Sequence, residues 1–238
     1  MTQSESPRLL LFPVPLSTEP PATVLPAPNL QLLTGVRHFV VENLRSARRF
    51  LRAVSRDIVI DDLDLRELNE HTPASEIDSL LAPMEAGHDL GVISEAGCPA
   101  VADPGADLVA AAQRRGYRVV PLVGPSSILM SLMASGFNGQ SFTFLGYLPV
   151  DSQARTAAMR EMEREVRRRR RTQIFIETPY RNNRLIAELA RTLPGDMLLC
   201  VASDITGPAE SIVTAPLSRW ARTQYDYARR PTIFLLYS

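Results

Sequence analysis

Short apolar runs, each stopped by a proline- or glycine-bearing turn, alternate with helical patterns through the first half of the chain. That alternation constrains the fold more than any other feature. Residues 9–12 (LLLF) read as a strand halted by Pro13 and Pro15. After a proline-rich connection, residues 37–42 (RHFVVE) read as a second strand and residues 46–54 as a helix. Residues 57–60 are expected to form a strand, and residues 75–86 a helix with Ser75 as its N-cap. Residues 90–94 (LGVIS) read as an apolar strand that runs into a loop at 95–105. A helix at 106–115 closes on Gly116, a C-cap residue, and residues 117–123 form the next strand, ended by Gly124-Pro125. Strands that are apolar on both faces must be covered on both, so this β-loop-α-β order predicts a mostly parallel sheet flanked by helices.

The second half has a different texture. Residues 126–135 read as a helix, 136–139 as a turn, 142–145 as a strand and 155–171 as a long, highly charged helix. Strands are expected at 172–177, 197–202, 211–214 and 232–237, with a helix at 182–193 between the first two. Strands so closely spaced predict a mixed sheet with antiparallel members. The fold class is therefore α/β, in two α/β domains. The boundary falls where a strand ends at Gly-Pro, giving domains at 1–123 and 124–238.

Bulk composition excludes several classes of function. The 26 arginines are balanced by 26 acids, so no global field draws the chain to nucleic acid or to an anionic membrane, and such binding must use a local patch. No lysine occurs anywhere, for which a coding bias suffices. Cys98 and Cys200 give neither zinc spacing nor a disulfide framework, as expected of a reducing cytoplasm. No metal site is expected. Residues 1–7 are polar and lack the basic segment of a signal peptide, and no apolar run reaches the roughly 18 residues of a membrane span.

The chemistry is concentrated in loops after strands, where open α/β sheets bind ligands. The segment Ser94-Glu95-Ala96-Gly97-Cys98-Pro99-Ala100-Val101-Ala102-Asp103-Pro104-Gly105 is built of small and turn-forming residues that let a flat ligand approach the backbone. Gly124-Pro125-Ser126-Ser127 is expected to open a helix and to present its hydroxyls and the amides of a helix start. Taken singly, the first is equally a plain connection and the second an N-cap.

Taken together, these segments resemble a known family. Residues 91–149 (GVISEAGCPAVADPG, then VPLVGPSS, then ASGFNGQSFTFLGYLP) closely resemble the ribosomal-RNA 2′-O-methyltransferase branch of the tetrapyrrole methylases. That branch shows SDAGTP, a following DPG, then VPLPGP and GFLP. Pro13-Val14-Pro15-Leu16 stands where the branch has a Pro-Thr-Pro-Ile loop. Glu42 and Arg45 match its Glu-Asp-Thr-Arg motif, and Glu177-Thr178-Pro179-Tyr180-Arg181 resembles its Glu-Ser-Pro-His-Arg. The matches run in order along nearly the whole chain. Departures lie on surfaces expected to face substrate. Glu95 stands for aspartate, Cys98 for threonine and Tyr180 for histidine, while Asp204-Ile205-Thr206-Gly207 lacks the lysine of Glu-Leu-Thr-Lys, with Glu210 matching a later acid.

The resemblance implies a methyltransferase whose S-adenosylmethionine lies in a cleft between the two domains. Carried over by position, the cofactor contacts are Pro15, Cys98, Val101, Ser126, Ser127, Ile176, Ala202, Pro231 and Thr232, many through backbone atoms. Loop position makes Glu42, Asp103, Glu177 and Tyr180 candidates for proton transfer, with Arg45 or Arg181 as phosphate holders. Each also has a purely structural reading, with Asp103 capping a helix and Glu177 pairing with Arg181. RNA as partner would engage Arg45, Arg48, Arg49, Arg52 and Arg56, or the run Arg167 to Arg171; that run follows Glu161, Glu163 and Glu165 and equally suits a salt-bridged helix. The family implies a homodimer. Ribosomal RNA, a tetrapyrrole-like small molecule, and a cofactor-binding module without activity all remain open as readings.

Overall fold

The computed structural model describes residues 6–238. Residues 1–5, most of the stretch read as lacking a signal peptide, lie outside the described residues. The chain divides into two compact units, Met1–Ser126 and Ser127–Ser238.

The first unit runs β1 (Arg8–Phe12), a 3-10 turn at Pro21–Thr23, α1 (Ala27–Gly35), β2 (His38–Val41), α2 (Leu44–Val54), a 3-10 turn at Ile60–Asp62 and β3 (Asp64–Glu67). A 3-10 segment at Ala74–Leu81 then leads into α3 (Ala82–Glu85), followed by β4 (Leu90–Ile93), α4 (Gly105–Arg114) and β5 (Arg118–Pro121). Five strands lie in the order β3-β2-β4-β1-β5, and every pairing is parallel. Because side chains alternate along a strand, the sheet splits its apolar residues between two cores. Leu9, Leu11, Val40, Leu90 and Val92 pack with Leu108, Ala111 and Ala112 of α4. Leu10, Phe12, Phe39, Val41 and Ile93 pack with Leu33 of α1 and with Ala47, Phe50 and Leu51 of α2. Burial on both faces is why the inner strands lack alternation. Gly116 caps α4 from a left-handed backbone (φ 74°), its N–H and that of Tyr117 donating to Gln113 and Ala112.

Two local expectations fail. Residues 57–60 form no strand; the chain turns there into the 3-10 segment Ile60–Asp62, and the strand is β3, the charged sequence DLRE. An edge strand is only half covered, so its sequence carries charge and hides from a reading based on apolar runs. Nor does Ser75 cap an α-helix. The segment begins as a 3-10 helix after Pro73, with no side-chain cap bond, and becomes α-helical only at Ala82. Pro83 explains the break, since it has no N–H to continue an i→i−4 ladder but suits a helix's first turn.

The second unit runs α5 (Ser127–Ser135), β6 (Phe142–Tyr147), α6 (Ser152–Arg169), β7 (Thr172–Ile176), a 3-10 turn at Pro179–Arg181, α7 (Asn182–Thr192), β8 (Leu198–Ser203), β9 (Ser211–Pro216), α8 (Leu217–Trp220) and β10 (Thr232–Tyr237). The sheet order is β6-β7-β10-β8-β9, with β6 and β7 parallel and the remaining pairings antiparallel. The mixed sheet is thus as expected. Its core joins Met159, Met162 and Val166 of α6 and Leu185, Ile186 and Leu189 of α7 to Phe175, Leu199, Val201, Phe234 and Leu236. Asp151 caps α6, accepting the Ala154 N–H at 2.8 Å. The arginines late in this helix pair locally: Arg167 with Glu163 and Asp196, Arg169 and Arg171 with Glu165. Salt bridges thus take up Arg167, Arg169 and Arg171 of that run.

Candidate active site

Parallel strands end together, so the first sheet delivers its loops to one edge. There β1 passes into Pro13-Val14-Pro15 and β4 into the long loop from Ser94. The two are stitched by a reciprocal bridge: Val14 N–H donates to Gly97 O and Gly97 N–H to Val14 O, both at 2.9 Å. Gly97 adopts φ 74° to make this turn. The thiol of Cys98 then donates to Pro125 O at 3.4 Å, drawing in the turn after β5. Gly124 is required in that turn, since a Cβ there would stand 2.2 Å from Cβ of Pro13. Pro15, Cys98 and Ser126 are thereby gathered by contacts among their own three loops, with Val101 half exposed at the outer bend.

Asp103 holds the bend's shape. Its Oδ1 accepts N–H bonds from Ala100 at 3.0 Å and from Gly105, the first residue of α4, at 2.7 Å. Between them Ala100 and Ala102 sit in the left-handed region, at φ 66° and 61°. Left-handed backbone strains any residue with a Cβ and persists where surroundings impose it. The capping reading of Asp103 is thus correct and incomplete, because the same oxygen closes the loop. Its Oδ2 is buried and accepts no hydrogen bond from the described residues.

Glu42 follows β2 on the same edge. Its N–H donates to Ile93 O at 3.0 Å, and its Oε2 accepts the N–H of Glu95 at 2.9 Å. Burial pushes the Glu42 carboxyl above its ordinary value; the Glu95 amide opposes this, and the charges of Asp103 and Glu95 add to it. Burial likewise raises Asp103, against the amides of Gly105, Ala100 and Val101.

In the second unit, pairing aligns another set of predicted residues. Ile233 of β10 stands opposite Ile176 on one side and Ala202 on the other, with Thr232 opposite Ser203. Pro231 and Thr232 are fixed by a residue that sequence reading missed. Asn182, wholly buried at the head of α7, donates through Nδ2 to Tyr227 O, Arg230 O and Thr232 Oγ1 at 2.9, 2.8 and 3.0 Å. An asparagine opening a helix gives no sign of partners about 50 residues away. Ser127 begins α5, which packs on β10 and β9. Glu177 is buried and engaged: its Oε1 accepts from the Thr178 amide and from Nε and Nη2 of Arg181. The structural reading of Glu177, an ion pair with Arg181, is present in this geometry. Tyr180 is 78% exposed, with the Arg229 guanidinium 5.9 Å from its ring centre. Glu210 accepts the Thr206 N–H at 2.8 Å, tying the segment that lacks the lysine.

Residues 30–221 match the family model of the tetrapyrrole (corrin/porphyrin) methylases. The chain belongs to that family. Among its relatives in the tetrapyrrole methylase family is ribosomal RNA small subunit methyltransferase I of Vibrio cholerae, 32% identical over 190 residues, 79% of this chain and 62% of the relative. The protein of that name from Micromonospora olivasterospora is 30% identical over 216 residues, 91% of this chain and 65% of the relative. The chain thus spans less than two thirds of the length of these relatives. The crystal structure of the methyltransferase CobJ matches the fold with a TM-score of 0.64 at 16% identity, covering 97% of this chain and 93% of that one.

The raised carboxyls give this tetrapyrrole methylase a testable pH dependence. Below the ordinary aspartate value of 3.8, Asp103 is protonated in folded and unfolded chains alike. As pH rises, the unfolded chain loses the proton first, the folded state binds more protons, and stability falls until the folded carboxyl has also ionised. Asp103→Asn keeps an acceptor at Oδ1 and removes this contribution, together with the part of the Glu42 shift that the Asp103 charge supplies. Urea midpoints measured from about pH 4 to pH 8 should decline less steeply in the variant. Identical pH slopes would show that Asp103 carries no buried charge.

Proposed function

We propose that the protein is an S-adenosylmethionine-dependent methyltransferase acting on small-subunit ribosomal RNA, with a ribose 2′-hydroxyl as acceptor. The observation that carries the reading is the joining of the Pro15, Cys98 and Ser126 loops on the carboxyl edge of the parallel sheet, in a chain whose relatives are named for methylating that RNA. The residues fit such a cofactor. The bend from Gly97 to Ala102 carries no side chain larger than valine and turns through left-handed backbone at Gly97, Ala100 and Ala102, and Gly124 lets its turn close on Pro13. Pro15, Cys98, Val101, Ser126, Ser127, Ile176, Ala202, Pro231 and Thr232 would hold it.

When bound, S-adenosylmethionine supplies a methyl carbon on a positively charged sulfur, open to in-line displacement by an oxygen. The chain's own contribution is to orient the hydroxyl, exclude water and take a proton. Glu42 is our choice for that last role, since its carboxyl is raised toward neutrality and retains Oε1 beyond the bond to Glu95. Asp103 positions the loop, Glu177 holds Arg181, and Arg181 and Tyr180 face the acceptor. A homodimer, which the family resemblance implies, suits the exposed Leu129 and Met133, one turn apart on α5. Cytoplasmic residence suits a ribosomal substrate, and no helix among the described residues is long and apolar enough to cross a membrane.

Calorimetric titration tests the cofactor reading. The wild type should bind S-adenosylmethionine and S-adenosylhomocysteine with micromolar affinity, and Ser127→Trp should lose it at least about 100-fold, since an indole cannot share the space of the cofactor. A folded wild type that binds neither would end the reading. Mass mapping of ribosomal RNA from cells lacking the gene tests the acceptor, and an unchanged modification pattern excludes it.

A further inference from the structure

We infer that the outer face of α2 is a docking surface for the phosphodiester backbone of RNA, starting beside Glu42 and running away from the carboxyl edge of the first sheet. Arg45, Arg48, Arg49 and Arg52 recur at i, i+3, i+4 and i+7, the spacing of one helical face. All four are exposed, as is Arg56 just past the helix. The helix LRSARRFLRAV contains no acid, and none of these arginines forms an ion pair with the described residues. The contrast with α6 is direct, for there Arg164, Arg167 and Arg169 are each neutralised by a glutamate on the same helix. Four uncompensated charges side by side repel one another, a cost that a bound polyanion relieves.

The opposite face of α2 says which polyanion. Ala47, Phe50 and Leu51 are already buried in the core of the first unit, so the helix has no apolar face to sink into a lipid surface. What remains is a row of planar guanidinium forks, each matched to a phosphate. From Arg45 to Arg52 the row covers about 10 Å at about 1.5 Å per residue. That is roughly three steps of a stacked strand at about 3.4 Å each. Asn43 caps the helix, accepting from the Arg45 and Ser46 amides at 3.0 and 3.1 Å, and so fixes the first arginine next to Glu42. A strand lying along the row is led to the edge where the acceptor must be presented. The inference rests on the methyl-transfer reading for the identity of that RNA, and its electrostatics stand independently.

The test is a triple variant, R48Q/R49Q/R52Q, which leaves Arg45 beside the site and exchanges residues of similar helix propensity. R48K/R49K/R52K retains charge as a control. Binding to deproteinised small-subunit ribosomal RNA is measured against salt concentration by fluorescence anisotropy. The glutamine variant should bind roughly 10–100-fold more weakly, and its log Kd against log salt should flatten by about 2 to 2.7, as expected for three lost phosphate contacts. The lysine variant should recover most of the affinity, and S-adenosylmethionine binding should be the same in all three proteins. Unchanged affinity and slope in the glutamine variant overturn the inference, as does a wild type that binds no RNA. So does α2-dependent uptake by vesicles of phosphatidylglycerol and phosphatidylcholine with RNA binding unaffected. RNA bound through α2 without methyl transfer upholds the surface and refutes the enzymatic reading. Methyl transfer with KM for RNA unaltered by the substitutions does the reverse.

Discussion

Glu188→Ala is expected to cost the second unit about 3–5 kcal/mol, the range for removing one partner of a buried ion pair. Arg155 lies near the start of α6 with its side chain only 7% exposed, and Glu188 of α7 is 13% exposed. Nε of Arg155 donates to Glu188 Oε2 at 3.0 Å, while Nη1 donates to the carbonyls of Pro149 and Val150 at 3.1 and 2.8 Å. A guanidinium cannot shed its proton, so without Glu188 a full charge stays buried against two neutral carbonyls. Glu188→Gln preserves an acceptor and should cost less. Replacing both partners, Arg155→Met with Glu188→Leu, should restore much of the loss, because the desolvation of both ions disappears with them. Urea unfolding of the four proteins measures this. A single alanine variant within about 1 kcal/mol of wild type would mean that the pair is solvated and of the surface kind.

Asp103→Ala should abolish cofactor binding, by more than about 100-fold, with little loss of secondary structure. One carboxylate oxygen holds Ala100 and Gly105 together across a bend in which Ala100 and Ala102 are left-handed. Each such residue costs on the order of 1–3 kcal/mol and relaxes once its constraint is gone. Relaxation moves Val101 and Cys98, both proposed cofactor contacts, while the strands beneath are held by their own core. Asp103→Asn retains Oδ1 and should bind within about tenfold of wild type, a loss of about 1.4 kcal/mol at most. Calorimetry with S-adenosylhomocysteine, paired with circular dichroism, separates the cases. Full affinity in the alanine variant would show that the bend is held by something other than Asp103, and equal loss in both variants would point to the charge instead of the loop.

These two residues differ in how far the sequence betrayed them. Asp103 stands in a run of small residues after an apolar strand, so its loop position was legible, and its capping role followed from its place before Pro104 and the helix read at 106–115. That the same oxygen bonds Ala100 was not, because a left-handed alanine has no sequence signature. Nothing in the sequence sets Arg155 and Glu188 apart from the other charges of their helices. Only the packing of α6 on α7 makes them a buried pair.

The apolar runs at 9–12 and 90–93, the Gly-Pro stops and the ordered motifs from Pro13 to Arg181 were enough to establish an α/β chain with a parallel and a mixed sheet, and its family. Strand burial and turn chemistry are local, and local causes leave local marks. The tertiary structure alone decided what depends on partners far apart in the chain. It moved the edge strand to Asp64–Glu67, whose half-covered position permits charge, and it broke the 75–86 helix at Pro83. It joined the Val14 and Gly97 loops, tied Asn182 to Thr232, and left the α2 arginines without ion-pair partners among the described residues while Arg164, Arg167 and Arg169 of α6 found theirs. Long-range pairing depends on which surfaces meet, and a residue's own neighbours in sequence do not specify that.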